Sequence, residues 1–292
     1  MPLPVPYKPE YVHRAALKAY RQNFDIRNAI EEVLRSKGWD ARSASKEASR
    51  LRTTVEIAID DHLRTFENRG LRTYFQRDVR RPSRVRPAPN AGPFMWTPRI
   101  QALLMRLPAR RFEVLLGNVF VGWEFDEIAV TPMSGDGGVD FVGRVGLGRR
   151  PLEPSAVTGA SLFGGRSAYV FGQAKRYSMA HPVEVNAIDA LLGAAVGFLR
   201  GGGTPVKNRM IRKLTEWGWN ASSPLMSAFA TSGWFRSSIP GYAHQQGFTI
   251  FDGEQLAQRV VRLTPSLRTW TEAQRAVTHL SSEPQDHVTL LE

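Results

Sequence analysis

A chain of 292 residues, 42% of them hydrophobic, is long enough for one large domain or two smaller ones and has the apolar content to bury a core, so disorder is not the default reading. Its formal net charge of +12 and pI near 10.4 point to a polyanionic partner without separating nucleic acid from a membrane surface. The absence of cysteine excludes disulfides, zinc ribbons, iron–sulfur clusters and thiol catalysis.

The opening Met1-Pro2-Leu3-Pro4-Val5-Pro6 has neither the charged start nor the apolar core of a secretory signal, and the expected location is the cytoplasm. Residues 9–22 pattern as a helix. A second helix starts near Asp25 and carries Ile26, Ala29, Ile30, Val33 and Leu34 on one face until Gly38 stops it. A third runs from about Ser43 to Gly70, with Leu51, Val55, Ile59, Leu63 and Phe66 recurring at intervals of three to four. Most of the excess positive charge falls in this first third, and residues 1–79 are expected to form a small, basic, mostly helical domain for DNA binding or oligomerisation. Residues 80–95, rich in proline and arginine, read as a semi-extended linker.

Beyond it the pattern changes to that of an α/β domain over 96–265. Residues 98–106 and 109–121 read as helices, the second with Phe112, Leu115, Leu116 and Val119 inward and Glu113 beside them. Strands are expected at 125–130 and 139–145 around a Ser134–Gly138 turn, then a Gly/Pro/Ser-rich loop over 146–167 and a strand at 168–175. A helix follows at 182–199. Its apolar run is well short of the roughly 20 residues that span a bilayer, and no membrane association is expected. After Gly201-Gly202-Gly203 comes a basic amphipathic segment at 205–219. A strand at 225–231, a short helix at 239–246, a strand at 248–251 and a helix at 253–263 complete the alternation, and the 266–292 tail has one helix near 271–280. Strands alternating with helices predict helices on both faces of a mixed sheet.

Two of the apolar strands carry polar residues that a core strand normally excludes: Asp140 after the glycine turn, and Lys175 at the end of the strand expected to pair with it. In a hairpin, matching strand ends come together, so carboxylate and ammonium are expected at one sheet edge, with Glu113 as a second carboxylate from the preceding helix. Metal-assisted phosphodiester hydrolysis needs hard oxygen ligands, a cation near the scissile group and a basic surface for the nucleic-acid backbone.

Phe112-Glu113-x-x-Leu116 on a helix, Ser134-Gly135-Asp136-Gly137-Gly138-Val139-Asp140 at a strand, and Gln173-Ala174-Lys175-Arg176-Tyr177 together resemble the Mrr-like family of restriction endonucleases within the PD-(D/E)XK nuclease fold. Ala228-Phe229-Ala230-Thr231-Ser232-Gly233-Trp234-Phe235 and Phe248-Thr249-Ile250-Phe251-Asp252-Gly253-Glu254 look like the family's later landmarks, so the likeness spans about residues 108–263. It implies a three-layer αβα core and a DNA endonuclease dependent on Mg²⁺ or Mn²⁺, working in restriction or anti-phage defence. Carried over by position, Asp140 is the central metal ligand, Glu113 the helix-borne acid and Lys175 the catalytic lysine. Gln173 stands where the wider fold has a second acid, the form the Mrr-like branch uses; an amide oxygen ligates a hard cation but brings no charge. DNA is the implied partner, with a homo-oligomer or other defence-system subunits as further ones.

Each residue also has a plainer reading. Asp136 between glycines is a turn residue, His181 before Pro182 a cap or exposed group, and Trp217 and Trp219 core rather than base-stacking residues. Arg176, Tyr177, Ser232, Lys207, Arg212, Lys213, Arg84 and Arg86 are candidate nucleic-acid contacts, against a solvated surface or, for Ser232, a structural turn. The glycine clusters lack the context of a dinucleotide or phosphate loop, so no nucleotide cofactor is expected. The rival to an endonuclease is a nuclease-fold protein that binds DNA without cutting it.

Overall fold

The structure, a computed structural model, describes residues 8–19, 23–122, 125–131, 139–146, 167–177, 182–199, 205–220, 222–236 and 238–291, with only the backbone of 8–9, 194–199 and 205–207. The Ser134–Gly138 turn with Asp136, most of the 146–167 loop, His181, Gly201–Gly203 and the Lys207 side chain lie outside the described residues.

Three helices form the N-terminal layer: α1 (Lys8–Ala19), α2 (Ile26–Ser36) and α3 (Ala41–Asn68). Asp25 caps α2 by accepting the Arg27 N–H at 2.9 Å, and Asp40 caps α3 by accepting the Ser43 N–H at 2.9 Å, each satisfying a donor that a helix start leaves open. Gly38, between them, has φ +91, a conformation that a Cβ disfavours. The inward stripe of α2 packs with Tyr11, Ala15, Val55, Ile59 and Phe66 in one core.

Three short strands complete this unit: β1 (Phe24–Asp25), β2 (Phe75–Arg77) and β3 (Arg84–Pro87). Here the linker expectation needs correcting. β3 is the middle strand, pairing antiparallel with β1 and β2, and Val85 is fully buried in the helical core. Pro82 precedes the strand and Pro87 is its last residue, positions where a missing N–H costs little. The segment is therefore folded against the helices instead of holding two units apart.

After a 3-10 turn at Gly92–Trp96 come α4 (Thr97–Leu104), α5 (Ala109–Val121), β4 (Glu127–Val130), β5 (Phe141–Gly146), β6 (Ser167–Lys175), α6 (Val185–Leu199), α7 (Pro205–Glu216), β7 (Leu225–Thr231), α8 (Ile239–Gln245), β8 (Phe248–Phe251), α9 (Gly253–Leu263), α10 (Trp270–Ser282) and β9 (Val288–Leu290). The six strands form one sheet in the order β8-β7-β6-β5-β4-β9. The β4–β5–β6 meander is antiparallel, whereas β6–β7–β8 and β4–β9 are parallel. The sheet is mixed, as expected.

The strands alternate between two cores. On β6, Val170 joins the core shared with α4, α5, α9 and α10, while Tyr169 and Phe171 join the one shared with α6, α7 and α8. Helices thus cover both faces in three layers. The former core includes Phe112, Leu115, Leu116 and Val119, the inward face read from the sequence, and the latter takes Met210 and Leu214 from the basic segment. The tail does more than expected: β9 adds an edge strand beside β4. Its approach is held by buried Asn118, whose amide donates to the Leu280 and Glu283 carbonyls at 2.8 Å and whose oxygen accepts the Gln285 N–H at 2.8 Å. Among the described residues no helix is long and apolar enough to cross a membrane.

Candidate active site

Register dictates where the polar strand residues meet. Phe141 pairs with Gly172 across β5 and β6, so Asp140 falls opposite Gln173 just where the two strands end. Gly172 is required there, because a Cβ would come within 2.1 Å of the Phe141 ring. Asp140 is pinned from both neighbours. Its N–H donates to Gly172 O at 2.8 Å, and its carbonyl accepts the Thr131 N–H at 2.9 Å and the Thr131 hydroxyl at 3.1 Å. Its carboxylate Oδ2 accepts the Ala174 N–H at 2.7 Å. These bonds straddle Gln173 and hold the carboxylate at the end of β6.

Gln173 is 3% exposed, and its Oε1 has no hydrogen-bond partner among the described residues. An unsatisfied buried amide oxygen is costly. By strand alternation Gln173 and Lys175 share the Tyr169–Phe171 face, and Lys175, the last residue of β6, is half-buried. Asp140, Gln173 and Lys175 therefore come together at one strand end. Glu113, also half-buried, stands on α5 in the layer over the opposite face, a helix that packs against β4 and β6.

The oxygen donors suit a hard divalent cation. Asp140 supplies charge, and Gln173 presents a desolvated carbonyl oxygen that lacks a donor among the described residues. Among the described residues no cluster of three or more His, Cys, Asp or Glu is assembled. A cation held here would lean on an amide oxygen and on oxygens from substrate and water, the coordination habit of Mg²⁺.

The candidate nucleic-acid contacts divide. Arg176 is exposed and donates from Nη1 to Met105 O at 3.3 Å, which ties the α4–α5 turn to the site. Tyr177 is half-buried, its phenol pushed up by burial and then by the Glu184 charge. Ser232 is fully buried and donates its hydroxyl to Tyr177 O at 3.2 Å, so it serves the turn instead of facing a phosphate. Lys213 pairs with Glu216 at 3.2 Å and lies over Trp217, and exposed Arg212 reaches Glu216 at 3.8 Å. Arg84 and Arg86 flank Val85 on β3, both half-buried. Trp217 and Trp219 pack against the α6–α8 core.

In the sequence Glu254 stands only as part of a family landmark, with no role of its own. It is 2% exposed, takes the Tyr74 hydroxyl hydrogen bond and lies 3.1 Å from His62 Nε2. The Asp-x-x-Gln pattern of a capping box at 252–255 was the available signal for the helix start, but partners some 180 positions away leave no local trace.

This three-layer α/β sheet carries an acid, an amide and a lysine at one strand end. Residues 104–208 match a family model, Mrr_cat, described as a restriction endonuclease; the match includes Glu113, Asp140, Gln173 and Lys175. Among solved structures, the MspJI restriction endonuclease in complex with a 27-mer oligonucleotide is similar at 20% identity and a TM-score of 0.44, over 70% of this chain and 39% of that one. The restriction endonuclease FokI is similar at 10% identity and a TM-score of 0.32, over 90% of this chain and 46% of that one. Its DNA-bound form gives 11% identity and a TM-score of 0.31, over 91% and 47%. The chain spans less than half the length of each of these structures. A comparison with curated proteins gives no match.

Proposed function

We propose that the protein is a metal-dependent DNA endonuclease of restriction or anti-phage defence. The observation that carries this reading is the strand end where Asp140, fixed by the Ala174 N–H, falls in register opposite Gln173, whose buried Oε1 has no partner among the described residues, with Lys175 two residues on. The match of residues 104–208 to a restriction endonuclease family and the net charge of +12 support it, since a phosphodiester substrate is a polyanion.

In this reading Asp140 and Gln173 would hold Mg²⁺ or Mn²⁺, and Glu113, standing on α5 over the opposite face of the sheet, would join them only across the strand end. Such an ion, when bound, would supply a polarised water and neutralise charge on the phosphate. The chain's own residues do the rest. Asp140 keeps its position because β4 and β6 grip its backbone, so the carboxylate is set before substrate arrives. The Lys175 ammonium is placed to stabilise charge developing on the scissile phosphate or to orient the attacking water. Arg176, exposed beside it, extends cationic surface along the DNA backbone.

The test is incubation of methylated and unmethylated plasmid and phage DNA with the full chain in Mg²⁺, Mn²⁺ or EDTA. Cleavage with either metal that stops in EDTA is the expected result. Salt-sensitive DNA binding with no cleavage in any metal would instead establish a DNA-binding subunit that does not cut, and preferential cleavage of RNA would overturn the DNA assignment.

A further inference from the structure

Among the described residues the N-terminal unit makes a dense set of polar contacts with the first two turns of α9. Arg69 Nη1 lies 2.9 Å from Asp252 Oδ2, and Asp252 is the N-cap of α9, accepting the Gln255 N–H at 2.9 Å. Tyr74 donates its hydroxyl to Glu254, and His62 meets the same carboxylate oxygen. The Arg72 backbone exchanges two hydrogen bonds with the Gln258 side chain, at 2.9 and 2.8 Å. A second contact lands close by, where the His13 ring meets Trp234 edge-on at 5.5 Å.

What these contacts hold leads to the catalytic strand. The Gly253 N–H donates to Gly233 O at 3.0 Å. A Cβ on Gly253 would lie 2.0 Å from Ser232 O, so the helix start and the 232–233 turn are in van der Waals contact with no slack. From the other side of that turn, Ser232 N–H donates to Lys175 O at 3.3 Å and Ser232 Oγ to Tyr177 O at 3.2 Å. Thr231, just before it, pairs in register with Lys175. One buried turn thus receives the N-terminal unit on one side and grips the backbone around Lys175 on the other.

We propose that the N-terminal unit positions the active site: Arg69, Tyr74 and His62, acting through Asp252 and Glu254 and the Ser232–Gly233 turn, hold the Lys175 end of β6 in its working place. The inference rests on the nuclease reading for its consequence in catalysis, but the mechanical coupling stands on the hydrogen bonds themselves. It makes the N-terminal unit a regulator of the strand end, because any partner that loosens Arg69 or Tyr74 frees the turn that fixes Lys175. Burial strengthens the coupling, since Tyr74 and Glu254 are both 2% exposed and a buried carboxylate that loses a donor has no water to replace it.

The experiment uses the full chain with Tyr74→Phe, Arg69→Met and Arg69→Lys, and Ile59→Val as a control that trims the N-terminal core without removing any of the junction's hydrogen bonds. Hydrogen exchange is followed in peptides covering 173–177 and 231–234, together with single-turnover cleavage of duplex DNA and DNA affinity. For Tyr74→Phe and Arg69→Met, exchange in both peptides should rise about tenfold by local opening. Cleavage should fall about tenfold at unchanged DNA affinity, the mark of an effect on the chemical step. Arg69→Lys should recover part of both changes, and Ile59→Val should alter neither. Wild-type exchange at 173–177 in folded Tyr74→Phe and Arg69→Met, or equal effects from Ile59→Val, would overturn the inference. If the wild-type chain cuts no DNA, the nuclease reading falls and the exchange data still decide the coupling.

Discussion

Replacing Asp140 by asparagine and, separately, by alanine divides what this residue does for the fold from what it does for the chemistry. Its Oδ2 accepts the Ala174 N–H at 2.7 Å at a half-buried strand end. Alanine leaves that N–H without its acceptor, a loss of about 1–3 kcal/mol, and in a chain of this size each kcal/mol lowers Tm by about 2–4 °C. Asparagine retains a carbonyl oxygen in the same place, so its stability should stay within about 1 kcal/mol of the wild type. Both variants lose the negative charge, and cleavage of duplex DNA in Mn²⁺ should drop by at least about 10²-fold in each. Thermal melting and single-turnover cleavage, measured on the same preparations, make the comparison. Wild-type cleavage by a folded Asp140→Asn protein would refute the assignment of charge, and wild-type melting of Asp140→Ala would refute the assignment of the hydrogen bond.

Two further outcomes follow from buried groups. His13 is desolvated, which lowers its pKa to about 3, so the stability it permits is present above pH 6.5 and is lost as pH falls from there toward 3. For His62 burial pulls downward, but the Glu254 charge and hydrogen bond outweigh it and raise its pKa; its contribution is full below pH 6.5 and is lost as pH rises through the raised value. Melting temperature should therefore peak near pH 6.5, with His62→Gln flattening the alkaline side; an unchanged alkaline slope would contradict this. Gly172→Ala sets a methyl group 2.1 Å from the Phe141 ring. It should cost about 1–3 kcal/mol of stability and reduce cleavage, because the Gly172 carbonyl also holds the Asp140 N–H; a variant with wild-type melting would show that the strand pair yields without strain.

Most helices were legible because their apolar residues recur with a helical period over many turns, as in α2 and α3, and because Asp25 and Asp252 mark helix starts. The six-stranded sheet was legible except for β9. Val288–Leu290 is a three-residue strand, too short for alternation to register, and its partner lies about 160 positions earlier. The same holds for β1, β2 and β3, where proline and arginine hid a central strand whose buried residue is Val85 alone. In the candidate site, Asp140 and Lys175 stood out as polar residues on apolar strands and Gln173 through the family resemblance, and strand register brings the three together. The Glu254 cluster did not stand out, since a glutamate in the first turn of a helix is ordinary in sequence and becomes unusual only when Tyr74 and His62 close over it.

Whether this strand end cuts DNA turns on Lys175. Its side chain can be shortened without removing the Asp140–Ala174 bond or the Ser232 contact, which engage only backbone atoms of β6. The measurement is single-turnover cleavage of duplex DNA in Mg²⁺ by wild-type and Lys175→Ala proteins matched in melting temperature. Loss of a positioned charge at the reacting phosphate predicts a rate lower by about 10²–10³-fold at nearly unchanged DNA affinity. Cleavage by Lys175→Ala at the wild-type rate would contradict the account.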